Sequence, residues 1–304
     1  MDEIEHYNVH GFKTEKSDSL LGHLSYFSIS HSLSLSRHLI SFGYGIPHQT
    51  YIKQSDQLYS LRNVLRYLRS LYKRDGHRIF LIGVDTNIAL AVIECLTTSI
   101  VPQFLDANCS EFGGTPVNRR LSEYDMDEFH SLRIHIRTCL RECVYNTLLA
   151  VVQRPLMVVL ARQIAQYTIG ESKYHGVLHS IRLIGTEEGI PGFFSGLIPS
   201  ILHGLCVSAA FWGFRYLISR CVVYIQRYAV RKHCSRSYEF SIYLRAAFPF
   251  LLPLIRYRCG SMFYRLDSKA KIMALAGSGL DVPISRYHHA IVFPRRSAFR
   301  RNLY

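Results

Sequence analysis

Polar side chains recur along single faces of segments that are otherwise apolar. Asn87, Ala91, Glu94 and Thr98 fall at i, i+4, i+7 and i+11, which is one stripe of an α-helix. Asn146, Ala150 and Gln153 make a second stripe with Arg154 beside it, and Gly204, Ser208 and Arg215 align one residue from His203. His31 and His38 lie seven apart on another segment. Amides, hydroxyls, imidazoles and a carboxylate so placed suit hydrogen bonding and hydration of polar groups. The plainer reading of each is interhelical bonding, with Glu94 pairing Arg154 or Arg162.

Motifs for covalent chemistry are missing. There is no G-x-x-x-x-G-K-[ST] phosphate loop, no G-x-G-x-x-G after a strand and no H-E-x-x-H. The run Gly192-Phe193-Phe194-Ser195-Gly196 lacks the spacing of a nucleophile elbow. Eight cysteines, at 95, 109, 139, 143, 206, 221, 234 and 259, form neither a C-x-x-C pair nor a metal-finger spacing. The expectation is a non-enzyme with no cofactor, no metal and free thiols.

Five segments approach the roughly 20 residues that cross a bilayer: Leu20 to Tyr44, Ile79 to Leu105, Val144 to Tyr167, Gly196 to Ile225 and Tyr238 to Arg256. Ionisable and amide groups inside such spans are expensive in hydrocarbon, so the stripes are expected to face a bundle interior or a wet cavity. Mean hydropathy is only +0.06, which requires much helix surface to face polar groups. The net charge of +14 calls for an anionic partner, a lipid surface or nucleic acid. No nucleic-acid motif accompanies it. Arg62, Arg66, Arg69 and Lys73 share one helix face, as a helix lying on phospholipid headgroups would. Ten basic residues between Arg256 and Arg301 suggest a basic tail. The acidic first eighteen residues show no cleavable presequence.

A duplication organises these segments. Displacing the stretch from Tyr174 to Pro199 by 113 residues places Asp75-Gly76 under Glu188-Gly189, Arg69 under Arg182, Phe80 under Phe193 and Gly83 under Gly196. Each copy reads as a short amphipathic helix, an acidic-Gly stop, an aromatic position, then Gly and a long apolar helix.

That unit resembles the modules of the mitochondrial carrier superfamily. Arg154-Pro155-Leu156-Met157 through Arg162, then Glu171-Ser172-Lys173-Tyr174, Glu187-Glu188-Gly189-Ile190 and Gly192-Phe193-Phe194, is similar to the central module of the mitochondrial carrier homologues, the divergent outer-membrane branch. Ala247-Phe248-Pro249-Phe250-Leu251-Leu252 resembles the start of their third module. Carriers follow the helix proline by an acidic residue two later, a basic one five later and often Arg seven later. Here Pro155 is followed by Met157, Leu160 and Arg162, Pro249 by Leu251, Leu254 and Arg256, and Pro47 by Gln49 and Ile52. All six positions of the carriers' charged gate are uncharged, so a solute cycle run by that gate is not expected.

The resemblance implies an all-α integral membrane bundle: a degenerate, three-module carrier fold with about five transmembrane helices and short surface helices. Its expected parts are a polar segment (1–19), a divergent first module (20–105), a polar loop (106–138), the best-matching module (139–226), a truncated third module (227–266) and a basic tail (267–304). It further implies a multi-pass protein insertase of the mitochondrial outer membrane. A lateral hydrophilic groove lined by Asn87, Glu94, Thr98, Asn146, Gln153, Arg154, His203 and Ser208 would serve tail-anchored and other α-helical clients. The family is also associated with docking of BH3-type pro-apoptotic proteins. Membrane lipids are expected partners and nucleic acid is not; a solute carrier of the inner membrane is the alternative, and a basic helical nucleic-acid binder a distant one.

Overall fold

The computed structural model describes residues 20–42, 44, 61–114, 126–232 and 235–280. The fold is all-α, and no strand occurs among the described residues. In chain order the elements are α1 (Leu20–Phe42), α2 (Leu61–Asp75), a 3-10 turn (His77–Leu81), α3 (Val84–Asn108), α4 (Glu128–Ile169), α5 (Val177–Glu187), α6 (Ile190–Phe193), α7 (Leu197–Arg231), α8 (Ser235–Met262) and α9 (Tyr264–Met273).

Among the described residues three stretches are long and apolar enough to cross a membrane: Ile79–Asn108, Glu128–Ile169 and Ile190–Arg231. Helices also form at the other two expected spans, α1 and α8. Neither reaches the same apolarity, because α1 carries His23, His31, Arg37 and His38, and α8 carries Arg236, Glu239, Arg245, Arg256 and Arg258. Among the described residues, three of the five expected spans therefore meet that measure by composition. Proline is tolerated inside two of them, Pro102 in α3 and Pro155 in α4, and Pro249 falls inside α8. Pro47, Gln49 and Ile52 lie outside the described residues.

The duplication is visible in the backbone. Gly76 adopts φ 71°, ψ −162° before the 3-10 turn, and Gly189 adopts φ 69°, ψ −162° before α6. Only glycine reaches that region without strain, so both copies stop the amphipathic helix in the same way. The next helices begin at Val84 and Leu197, again 113 apart. In α2 the period of 3.6 buries Val64 and Leu71 while Arg62, Arg66, Arg69 and Lys73 stay exposed. The Tyr67 hydroxyl donates to the Tyr44 carbonyl at 2.8 Å, and burial pushes its pKa above the usual phenol range.

The chain divides into two compact units. One contains Cys95–Leu149 and Ile201–Phe263, the other Ser19–Glu94, Ala150–Ser200 and Tyr264–Tyr304. The core of the first gathers Val207, Phe211, Trp212 and Cys259, with Leu252, Ile255 and Phe263 packed against them. The core of the second includes Leu35, Leu39, Ile79, Leu160, Ile164 and Ile184.

The second unit also holds a segment that differs from expectation. The basic tail expected from residue 267 starts as structure: α9 ends at Met273, and Ala270, Ile272, Ala274, Leu275 and Leu280 are buried. The apolar side chains gain by leaving water, and the segment's carbonyls supply acceptors that two buried arginines need. Ten residues of α9 are too short to span a bilayer. Residues 281–304 lie outside the described set.

Candidate functional site

Polar side chains collect in two places, one in each unit. In the second unit, α4 carries Arg154 just before Pro155 and Arg162 two turns later. The Arg162 side chain is wholly buried, and its two terminal nitrogens donate to the Glu188 carboxylate at 2.5 and 2.8 Å. Its Nε donates to the Ala274 carbonyl at 3.0 Å and its Nη2 also to Ala276 at 3.3 Å. A guanidinium has five N–H donors, and a buried ion pair is tolerated only when the remaining donors are met. The segment after α9 meets them. Gly277, at φ +86°, lies against this carboxylate: a Cβ there would sit 2.7 Å from Oε2 of Glu188.

Arg154 is 3% exposed and donates through Nε to the Ser195 carbonyl at 2.8 Å and through Nη2 to the Ala270 carbonyl at 2.8 Å. The Ser195 hydroxyl donates to the Met273 carbonyl. Gly196 leaves room for these contacts, since a Cβ there would meet Ala270 O at 2.5 Å and the Arg154 guanidinium closer still. Thr86 on α3 donates to Gln163 on α4 at 2.6 Å, and Nε2 of His31 meets the Phe80 carbonyl at 2.9 Å. Lys271 on α9 pairs with Asp267 at 2.7 Å; burial pulls its ammonium below the usual lysine range and Asp267 opposes that shift.

In the first unit the centre is Glu142 on α4, 1% exposed. Its carboxylate accepts from Trp212 Nε1 at 2.5 Å and Ser208 Oγ at 3.2 Å, and pairs with Arg256 at 2.7 Å. Asn146 donates to Ser208 at 2.6 Å and reaches Glu142 at 3.5 Å. The Arg256 guanidinium stands 5.3 Å over the Phe211 ring. On the same α4 stretch Tyr145 bonds Thr98 of α3 at 2.8 Å. The sequence stripes contained Asn146 and Ser208 but not Glu142. It sits one turn before Asn146 on the same face, outside the apolar segment that begins at Val144.

The expected groove residues separate by unit and by exposure. Thr98, Asn146, His203 and Ser208 belong to the first unit, Asn87, Glu94, Gln153 and Arg154 to the second. Asn146 and Ser208 are joined, Asn87, Gln153 and His203 are half-buried, and Glu94 is exposed. Arg154 is not at an open face, because the carbonyls that satisfy it lie inside the second unit's core. Glu94 is not what satisfies Arg162 either; Glu188 does. The repeat-turn glycines Gly76, Gly83, Gly189 and Gly196 all have positive φ.

A family model described as mitochondrial carrier protein matches residues 144–224. "Mitochondrial carrier homolog 2" of Mus musculus is 26% identical over 203 residues, 66% of this chain and 62% of the relative. The Homo sapiens protein of that name is 25% identical over the same shares, and "Mitochondrial carrier homolog 1" of Mus musculus is 39% identical over 75 residues, 23% of this chain and 19% of that one. The chain is similar to the mitochondrial carrier homologues, most clearly over its middle third. Three helices among the described residues are long and apolar enough to cross a membrane. The chain spans 62% of the length of the curated relatives it matches, and no solved structure matches it.

Within this chain the two arginines seven residues after a helix proline both have carboxylate partners: Arg162 takes Glu188 and Arg256 takes Glu142. At the gate positions, Leu160 is 1% exposed and packed in the core, Met157 is half-buried, and Leu251 and Leu254 are 40% and 53% exposed. None of these four can form an ion pair, whatever conformation the helices take.

Proposed function

We propose that this chain, by its similarity to the mitochondrial carrier homologues, is a protein insertase of the mitochondrial outer membrane, acting on tail-anchored and other α-helical clients without a catalytic step or cofactor. The observation that carries the reading is Glu94. It lies at the midpoint of the span Ile79–Asn108 and is exposed, on a helix that also exposes apolar Ile88 and Val92. A carboxylate at mid-bilayer depth costs about 2.5–3.5 kcal/mol on insertion scales. Access of water to that face removes much of the cost, and water beside a lipid-facing apolar surface is a lateral hydrophilic groove.

Such a groove lowers the barrier for the polar flank of an incoming helix, while burial of roughly 20 apolar residues supplies the drive. The uncharged positions Met157, Leu160, Leu251 and Leu254 support the same reading, since they remove the ion pairs by which an alternating-access carrier closes.

The test is made in cells and organelles. Carbonate extraction should leave the chain in the mitochondrial membrane pellet, protease added to intact mitochondria should cleave it, and its depletion should leave tail-anchored reporters extractable. Protection from protease until the outer membrane is ruptured, with normal reporter insertion, would return the chain to the inner-membrane solute carriers.

A further inference from the structure

The last three turns of α7 carry Arg220, Arg227 and Arg231, at i, i+7 and i+11. Together with Tyr224, Tyr228 and Glu128 at the start of α4, they line a cleft of about 210 Å³ in the first unit. That is room for about seven waters at the liquid volume of roughly 30 Å³ each. Arg220 is unusual among these groups. All three of its guanidinium nitrogens are buried without a hydrogen-bond partner. The Tyr216 ring centre lies 5.9 Å from its guanidinium carbon.

A buried, unmet guanidinium is destabilising. The dipole of α7 does not relieve it, because that field fades within the last turn and Arg220 stands eleven residues before the helix end. Glu128 lines the cleft but accepts no hydrogen bond from it. Among the described lining residues three guanidiniums stand against one carboxylate, and guanidinium forks match the geometry of phosphate oxygens.

We infer that this cleft binds the phosphate of an anionic phospholipid, with Arg220 at its floor and Arg227 and Arg231 above. Lipid is favoured over a soluble phosphate or an acidic peptide by where the cleft lies. Glu128 opens the 42-residue stretch Glu128–Ile169 and Arg220 to Arg231 close the 42-residue stretch Ile190–Arg231; since roughly 20 residues cross the hydrocarbon, both walls lie at helix ends that reach beyond it. Membrane-span ends are where phospholipid headgroups sit. Tyr224 and Tyr228, 72% and 51% exposed, are the ring types enriched at that interface. Exposed Phe214 and Leu217, one to two turns back along α7, offer apolar surface to an acyl chain. This inference rests on the membrane placement but not on insertion of clients.

The experiment uses the full chain in mild detergent, with native mass spectrometry during titration of phosphatidylglycerol or phosphatidylcholine. The wild type should retain phosphatidylglycerol preferentially. Arg220→Gln should weaken that retention about tenfold or more, as expected for loss of a charge-assisted contact. Arg231→Gln, at an exposed position that leaves folding intact, should weaken it by a smaller factor, and Glu128→Gln should strengthen it. Phosphatidylcholine binding should not change in any variant. Undiminished phosphatidylglycerol binding by folded Arg220→Gln and Arg231→Gln proteins would overturn the site. Displacement of the lipid by millimolar inorganic phosphate would assign the cleft to a soluble phosphate instead, and displacement by an oligoglutamate peptide would assign it to an acidic protein. Because the readout needs no client, its failure leaves the insertase reading standing, and failure of insertion leaves this site standing.

Discussion

Arg162 and Glu188 form a two-pronged ion pair, at 2.5 and 2.8 Å, in which the arginine side chain has no solvent exposure. The pair ties the helix after Pro155 to the acidic-Gly stop of the duplicated unit, and the carbonyls of Ala274 and Ala276 complete its shell. Removing one partner strands the other charge. Arg162→Leu should destabilise the second unit by about 3–5 kcal/mol, whereas Arg162→Leu with Glu188→Leu should recover much of the loss. Thermal unfolding of the detergent-solubilised variants measures both; equal loss in single and double variants would mean that the ion pair is not the cause.

Gly196 is expected to be intolerant of even one methyl group. Its φ of +76° and the Ala270 carbonyl 2.5 Å from a new Cβ act together, so Gly196→Ala should cost about 1–3 kcal/mol or more. Gly213, in the same α7, has nothing within 4 Å of a new Cβ and a helical backbone, so Gly213→Ala should be neutral or stabilise by up to about 1 kcal/mol. Comparing their unfolding midpoints in one detergent decides the matter.

Glu142 holds Trp212, Ser208 and Arg256 at once. Glu142→Gln keeps an oxygen acceptor for Trp212 and Ser208 and loses the charge facing Arg256; Glu142→Ala abandons all three. The alanine variant should therefore lose more stability, and the cycle of Glu142→Gln with Arg256→Gln should show a coupling of about 0.5–3 kcal/mol. Additive effects would place Arg256 outside the network.

The uncharged gate makes a transport prediction. Liposomes carrying the protein should show no saturable exchange of nucleotides, carboxylates or amino acids, because Met157, Leu160, Leu251 and Leu254 cannot form closing ion pairs. Robust counter-exchange of any one of these would show that the scaffold closes by other means.

Much of the architecture was legible in the sequence because it repeats local signals. The interval of 113 residues located Gly76 and Gly189, and these adopt the same backbone angles. Arg62, Arg66, Arg69 and Lys73 marked the exposed face of α2 because helical periodicity is a short-range property. What long-range packing decides was not legible. Nothing near Arg154 or Arg162 in the chain announces that carbonyls more than a hundred residues later satisfy them, and so a segment expected as a basic tail proved to be part of a core. Glu142 escaped for a different reason: a charge beside an apolar run reads as its boundary, although Arg256 and Trp212 allow it to be buried.

The most direct measurement of the proposed function is insertion of a tail-anchored reporter helix into vesicles containing the purified protein, read as carbonate-resistant reporter over time. Wild-type protein should accelerate insertion over empty vesicles. Replacing Glu94 and Gln153 by Leu should dry the proposed groove and slow insertion about tenfold or more, since each 1.36 kcal/mol added to a barrier is a tenfold change in rate. The variant should keep the helical circular dichroism and the detergent elution of the wild type, as Glu94 is exposed and Gln153 only half-buried. Undiminished insertion by a folded double-Leu variant would contradict the groove, and no acceleration by the wild type would contradict the insertase itself.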